Sequence, residues 1–254
     1  MDRDSNAYTF LFSAIMVLIV AATLAATATS LQDIQADNVR KEKMQNILAT
    51  IGIIVERENA PEVYTKYIIN ELALVSDGSI DSTVDAFKLK LNMEIKKPIE
   101  NQRFPLYLAE VDSSKFYIVP LRGVGLWDAI WGYVALEGDK NTIKGAVFDH
   151  KAETAGLGAE ITQKWFQERF TGEKVFNSDG ELVGINVSKT NNDPNNLDKE
   201  DHEVDAISGA TITGDGVTDM IKERLQNYLS FFNSNNESIA CLLYTSPSPR
   251  DVLR

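Results

Sequence analysis

Asp205-Ala206-Ile207-Ser208-Gly209-Ala210-Thr211 has the form D-x-x-[ST]-G-A-T, and what this stretch can do orders the rest of the chain. Gly209 and the small Ala210 let the backbone come close to a phosphate. Ser208 and Thr211 supply hydroxyls, and successive backbone N–H groups can form an anion-binding concavity. An apolar stripe follows at helical spacing: Val217, Met220, Ile221, Leu225, Tyr228, Leu229 and Phe232. The N-terminus of that helix favours a nearby phosphate through its free N–H groups and its dipole. Thr213 is a further hydroxyl and reads as a helix N-cap. Alone, Ser-Gly-Ala-Thr also fits an ordinary loop of small residues.

Composition narrows the classes. A chain of 254 residues with formal net charge −12 is a poor partner for nucleic acid and shows no basic patch for anionic lipid. Its one cysteine, Cys241, lies in a C-terminal segment that does not continue the preceding helix. Residues 241–254 resemble the conceptual translation of a transposase adapter; the competing reading is a genuine Pro/Ser-rich tail. Neither reading makes them part of the fold. The remainder then has no disulfide, thiolate metal site or cysteine nucleophile.

Tyr8 to Leu31 carries no charged residue. Twenty-four residues at about 1.5 Å each give roughly 36 Å, enough to cross a hydrocarbon core of about 30 Å. Ala26-Thr27-Ala28 fits a signal-peptide cleavage pattern, but the apolar run is longer than the usual signal core, which favours a retained single-pass anchor. Arg40, Lys41 and Lys43 after the span, against Arg3 before it, mildly place the large body in the cytoplasm.

Beyond the anchor, residues 32–55 read as a helix closed near Gly52, and residues 62–75 as a second helix with Pro61 at its first turn. Asp77-Gly78-Ser79 is a turn signal. Short strands follow at 115–120, 130–136 and 142–148, the last two joined by the hairpin-like Glu137–Asn141 stretch. A helix is expected at 160–170 with Trp165 and Phe166 in the core, then a strand at 181–187 and a polar, acidic loop to about residue 203. Strands mixed with segregated helices make an α+β domain. The expected organisation is an N-terminal segment and transmembrane helix (1–31), a helical membrane-proximal region (32–113), and a domain of antiparallel strands flanked by helices (114–238).

Two further stretches carry glycine-rich loops. Gly123-Val124-Gly125-Leu126-Trp127 is G-x-G-L-W, with no Rossmann context around it. His150-Lys151-Ala152-Glu153-Thr154-Ala155-Gly156-Leu157-Gly158 is H-x-x-E-T-x-G-L-G. His150 and Glu153 lack a third metal-ligand partner nearby, so no metal is expected and His150 reads as a loop-orienting residue. His202 matches no motif. The three motifs, their order and the single span resemble the covalent FMN-binding domain family, and in particular the C subunits of Na+-translocating NADH:quinone oxidoreductases. In that family the second loop usually has proline where this chain has Ala155. The related G-type subunit of Rnf complexes shares the last two motifs but shows G-Y-x-G in place of G-L-W and a shorter membrane-proximal stretch. A membrane-anchored assembly module without redox chemistry is the other alternative.

The resemblance implies FMN attached through its phosphate to Thr211, with Thr213 as the alternative attachment point and Asp205 as a recognition residue for a flavin transferase. It implies that Ser208, Gly209, Ala210, Leu126, Trp127, Glu153, Thr154, Gly156, Leu157 and Gly158 surround the cofactor. No catalytic acid, base or nucleophile is expected in the chain. The implied setting is an electron-transfer complex of the bacterial inner membrane that couples NADH oxidation by quinone to Na+ export. Its other subunits, the transferase and membrane lipid are the implied partners. The soluble domain would be periplasmic, against the charge count.

Overall fold

No helix breaker separates the apolar run from the charged stretch after it, and the two fuse into one helix, α1 (Asn6–Thr50), of 45 residues. The Ser5 hydroxyl caps its start by accepting the Tyr8 N–H at 3.3 Å. At about 1.5 Å per residue α1 is roughly 67 Å long. Its apolar part is long and apolar enough to cross a membrane and makes no packing contact with the body. Only the last turns are buried, through Met44, Ile47, Leu48 and Thr50. The helix stops at Thr50, two residues before Gly52. The computed structural model describes residues 5–234; the charges of residues 1–4, and the 241–254 segment with Cys241, lie outside the described residues.

The expected helix at 62–75 divides in two. Residues Ala60–Tyr67 form α2, with Pro61 in its first turn. The chain then becomes strand β1 (Ile68–Leu74) without an intervening loop. After the one-turn helix α3 (Leu91–Glu94) comes β2 (Phe104–Val111), a strand inside the region expected to be helical. Strands β3 (Ser114–Val124), β4 (Ala129–Leu136) and β5 (Ile143–His150) follow. All five pair antiparallel in chain order. The boundary expected between 113 and 114 therefore cuts a hairpin. Its two-residue turn, Asp112-Ser113, has both residues at positive φ (47° and 67°), the geometry that matches strand twist.

Both faces of the sheet are covered, and this hides the strands from periodicity. Along β2, Phe104, Leu106 and Leu108 join one core while Tyr107 and Ala109 join the other. A strand buried on both faces reads as a continuous apolar run with no alternation. One core lies under the end of α1 and α2. The other lies under the C-terminal half of the chain.

That half is less regular than expected. The helix at 160–170 is instead a 3₁₀ turn, the one-turn helix α4 (Lys164–Gln167) and another 3₁₀ turn. Phe166 is fully buried, but Trp165 stays 44% exposed with the Arg169 guanidinium 4.9 Å over its ring. The strand at 181–187 shrinks to β6 (Asn186–Val187), paired in parallel with β7 (Glu203–Val204). Helix α5 (Thr211–Gln226) and the short α6 (Leu229–Asn233) carry the apolar stripe onto β3. The approach of α5 is close: a Cβ at Gly216 would lie 2.3 Å from the Val124 carbonyl oxygen, so only glycine fits there.

Candidate functional site

The β3–β4 turn, the segment after β5 and the start of α5 meet at one end of the sheet. The Gly125 N–H donates to the Asp128 carbonyl at 2.9 Å, which tightens the β3–β4 turn and puts Leu126 and Trp127 at its tip. Beyond β5, the His150 Nδ1 accepts the Glu153 N–H at 3.1 Å. This bond orients the loop.

Glu153 joins all three segments. Its Oε1 accepts the Trp127 N–H at 2.9 Å, and its Oε2 accepts the Thr213 hydroxyl at 2.6 Å. Burial pushes its carboxyl upward. Hydrogen bonds from the Thr213 hydroxyl and from the Trp127, Leu126 and Asp128 backbone outweigh that and hold it below the usual glutamate range. Glycine gives the carboxylate its room: a Cβ at Gly125 would lie 2.6 Å from Oε1, and one at Gly158 2.4 Å from Oε2.

Thr211 opens α5 and is exposed, on the wall of a cleft of about 220 Å³. The residue before the helix is Ala210, and no side chain caps the first turn. The expected N-cap, Thr213, instead sits inside the helix, 1% exposed, and is spent on Glu153. The uncapped N–H groups and the positive end of a 16-residue helix are therefore free to meet an anion beside Thr211. Gly209 turns the chain into the helix at φ +74°, and a Cβ there would lie 2.8 Å from Leu157.

The cleft wall comprises Leu126, Glu153, Thr154, Leu157, Gly158, Gly209, Ala210, Thr211, Ile212 and Thr213. All of these except Ile212 belong to the set named from the motifs. Ser208 and Gly156 are exposed nearby but not on the wall. Trp127 is 67% exposed and lines a neighbouring groove with Arg122, Val124 and Met220. Asp205 stands apart from the cleft: it is 5% exposed, and its Oδ1 accepts the Asn192 and Asp193 N–H groups at 3.0 and 3.2 Å. It braces the acidic loop from within instead of presenting a carboxylate at the surface.

Two contributors carry no mark in the motifs. Ile212 lines the cleft and is 57% exposed, but an apolar residue beside the motif gives no sequence signal. The Arg169 guanidinium donates to the Asp205 and Ala206 carbonyls at 2.8 and 3.3 Å and fixes the strand entering the motif. Among the described residues no three His, Cys, Asp or Glu side chains cluster as metal ligands.

A family described as the FMN-binding domain matches residues 125–226, a span that holds the whole cleft wall. The chain is 30% identical over 237 residues to the C subunit of the Na+-translocating NADH-quinone reductase of Haemophilus ducreyi, covering 87% of this chain and 90% of that one. It is 31% identical to the same subunit of Vibrio anguillarum, over 85% of this chain and 89% of that one. The crystal structure of the C subunit from Parabacteroides distasonis superposes with a TM-score of 0.73 at 35% identity, over 81% of this chain and 98% of that one. The chain belongs to the family of C subunits of the Na+-translocating NADH-quinone reductase.

Proposed function

We propose that this chain is the FMN-carrying electron-transfer subunit of a Na+-translocating NADH-quinone reductase, with FMN held by a phosphoester on Thr211. The observation that carries the attachment site is the exposed Thr211 hydroxyl at the uncapped start of α5, on the cleft where the three motif loops converge. A flavin transferase using FAD as donor would join the threonine oxygen to the flavin-side phosphorus, with AMP leaving. Thr213 is a poor competitor because its hydroxyl is buried and already bonded to Glu153.

The residues fit the group. Free N–H groups and the dipole of α5 would hold the phosphate. At about 220 Å³ the cleft is smaller than the roughly 300–1,000 Å³ usual for a small-molecule pocket, so much of the flavin would lie over its rim. That rim is apolar and exposed, through Leu126, Leu157 and Ile212, with Trp127 exposed on the adjoining groove. The flavin supplies reversible electron uptake, and the protein supplies orientation and electrostatics. An open, apolar rim suits exchange of electrons with neighbouring subunits.

Helix α1 would anchor the chain in the bacterial inner membrane with the body on the periplasmic side. Of the three positive residues after the span, Lys43 is committed to the folded body, its Nζ donating to the Phe87 carbonyl at 2.6 Å. That weakens the charge count favouring a cytoplasmic body.

Co-expression of the full chain with a flavin transferase, followed by flavin fluorescence of the denatured chain, tests the attachment. Fluorescence is expected in the wild type and in Thr213→Val and lost in Thr211→Ala. Fluorescence retained by Thr211→Ala would overturn the assignment.

A further inference from the structure

We propose that Glu153 is a positioning residue that places a fixed negative charge beside the flavin and thereby lowers the flavin's midpoint potential. The inference rests on the reading that FMN lies over the Thr211 cleft. Three segments far apart in sequence meet at this one residue: its carboxylate accepts from the Trp127 turn and from the start of α5, and its own N–H donates to His150 Nδ1 within the 150–158 loop. The side chain is 7% exposed, yet it forms part of the cleft wall with Thr211. Its hydrogen bonds keep it ionised, and none of the groups that shift it is a lysine or arginine. Every partner is a neutral donor, so the charge is held without being cancelled. An unneutralised charge at the edge of an apolar cleft is poorly screened, and it opposes the arrival of an electron on a nearby ring.

Positioning and charge can be separated. Glu153→Gln keeps an oxygen for the Trp127 N–H and turns an amide N–H toward the Thr213 oxygen, so the junction survives while the charge goes. Glu153→Asp keeps the charge and shortens the reach. Spectroelectrochemical titration of the flavin-loaded full chain should give a clearly higher midpoint potential for Glu153→Gln and a smaller change for Glu153→Asp. Hydrogen exchange of the 125–128 amides should show the reverse order, with protection kept in Glu153→Gln and lost in Glu153→Asp.

A Glu153→Gln potential that is unchanged or lower, on a chain with flavin attached, would overturn the proposal. So would equal shifts for the two variants, which would mark Glu153 as structural only. If Glu153→Gln does not fold, a Glu153→Asp potential displaced upward as far as that of Glu153→Ala would overturn it, because the charge would then have no effect. A wild-type chain that takes no flavin at all would instead sink the underlying functional reading. The exchange experiment on the unloaded chain would then still test the junction.

Discussion

Gly158→Ala should destabilise this protein far more than a surface glycine substitution. The added Cβ would lie 2.4 Å from the Glu153 Oε2 and 2.5 Å from the Thr213 Oγ, in the space of their hydrogen bond. Both are side-chain ends, but neither can swing away. Oε1 is held by the Trp127 N–H, and Thr213 is buried within α5. Overpacking of this kind costs about 1–3 kcal/mol, and a lost hydrogen bond to a charged group about 1.5–3. Together they come to about 2.5–6 kcal/mol, a large share of a total stability of about 5–15. At about 2–4 °C per kcal/mol for a chain of this size, the expected fall in Tm is about 5–24 °C. Gly156→Ala is the internal control: its φ is +76°, but no atom lies within 4 Å of the added Cβ. It should cost only the left-handed backbone penalty of about 1–2 kcal/mol. Thermal unfolding of the full chain in detergent, followed by near-UV circular dichroism, compares the two. A Gly158→Ala variant as stable as Gly156→Ala would refute the Glu153 junction.

Lys43 makes stability depend on alkaline pH. Burial lowers its pKa from 10.5 to about 8, against the upward pull of Glu71 and Asp85. Between those two values the unfolded chain binds more protons than the folded one, so stability rises with pH in that window. Urea unfolding at about pH 8 and about pH 9.5, two points inside that window, should show this rise in the wild type and not in Lys43→Met; equal slopes would refute it. Comparison of the two proteins removes the opposing contribution of the buried tyrosines. Asp205→Asn, which keeps the Oδ1 acceptor for the Asn192 and Asp193 N–H groups, should still be flavinylated, whereas Asp205→Ala should lose most of it. Equal loss in both would return Asp205 to direct recognition of its charge by the transferase.

The site is more legible in the sequence than the fold. Its motifs depend on local chemistry: the hydroxyl of Thr211, the left-handed Gly209, and Glu153 with two glycines around its carboxylate. Such constraints leave fixed residue types at fixed spacings. Residues 68–74 and 104–111 do not read as strands because their conformation is decided by each other. Leu72 lies opposite Leu106 and Leu74 opposite Phe104, and with both sheet faces buried no alternation marks either strand. The 160–170 segment has helical spacing but is bent into three short turns that bury Phe166 and Phe170 against Phe148. Thr213 reads as a cap because Ser and Thr usually start helices; α5 starts two residues earlier, on Thr211, with no side-chain cap. Asp205 lies in a recognisable motif, but its burial depends on a loop whose path no local pattern encodes.

One particular hydroxyl of this chain, that of Thr211, is expected to carry the flavin. Tandem mass spectrometry of the chain isolated from its own membranes reads that directly, by locating the FMN mass on the peptide spanning residues 205–222. The full increment is expected on Thr211, with Ser208 and Thr213 unmodified. The same increment on Thr213, or an unmodified peptide from a working complex, would contradict it.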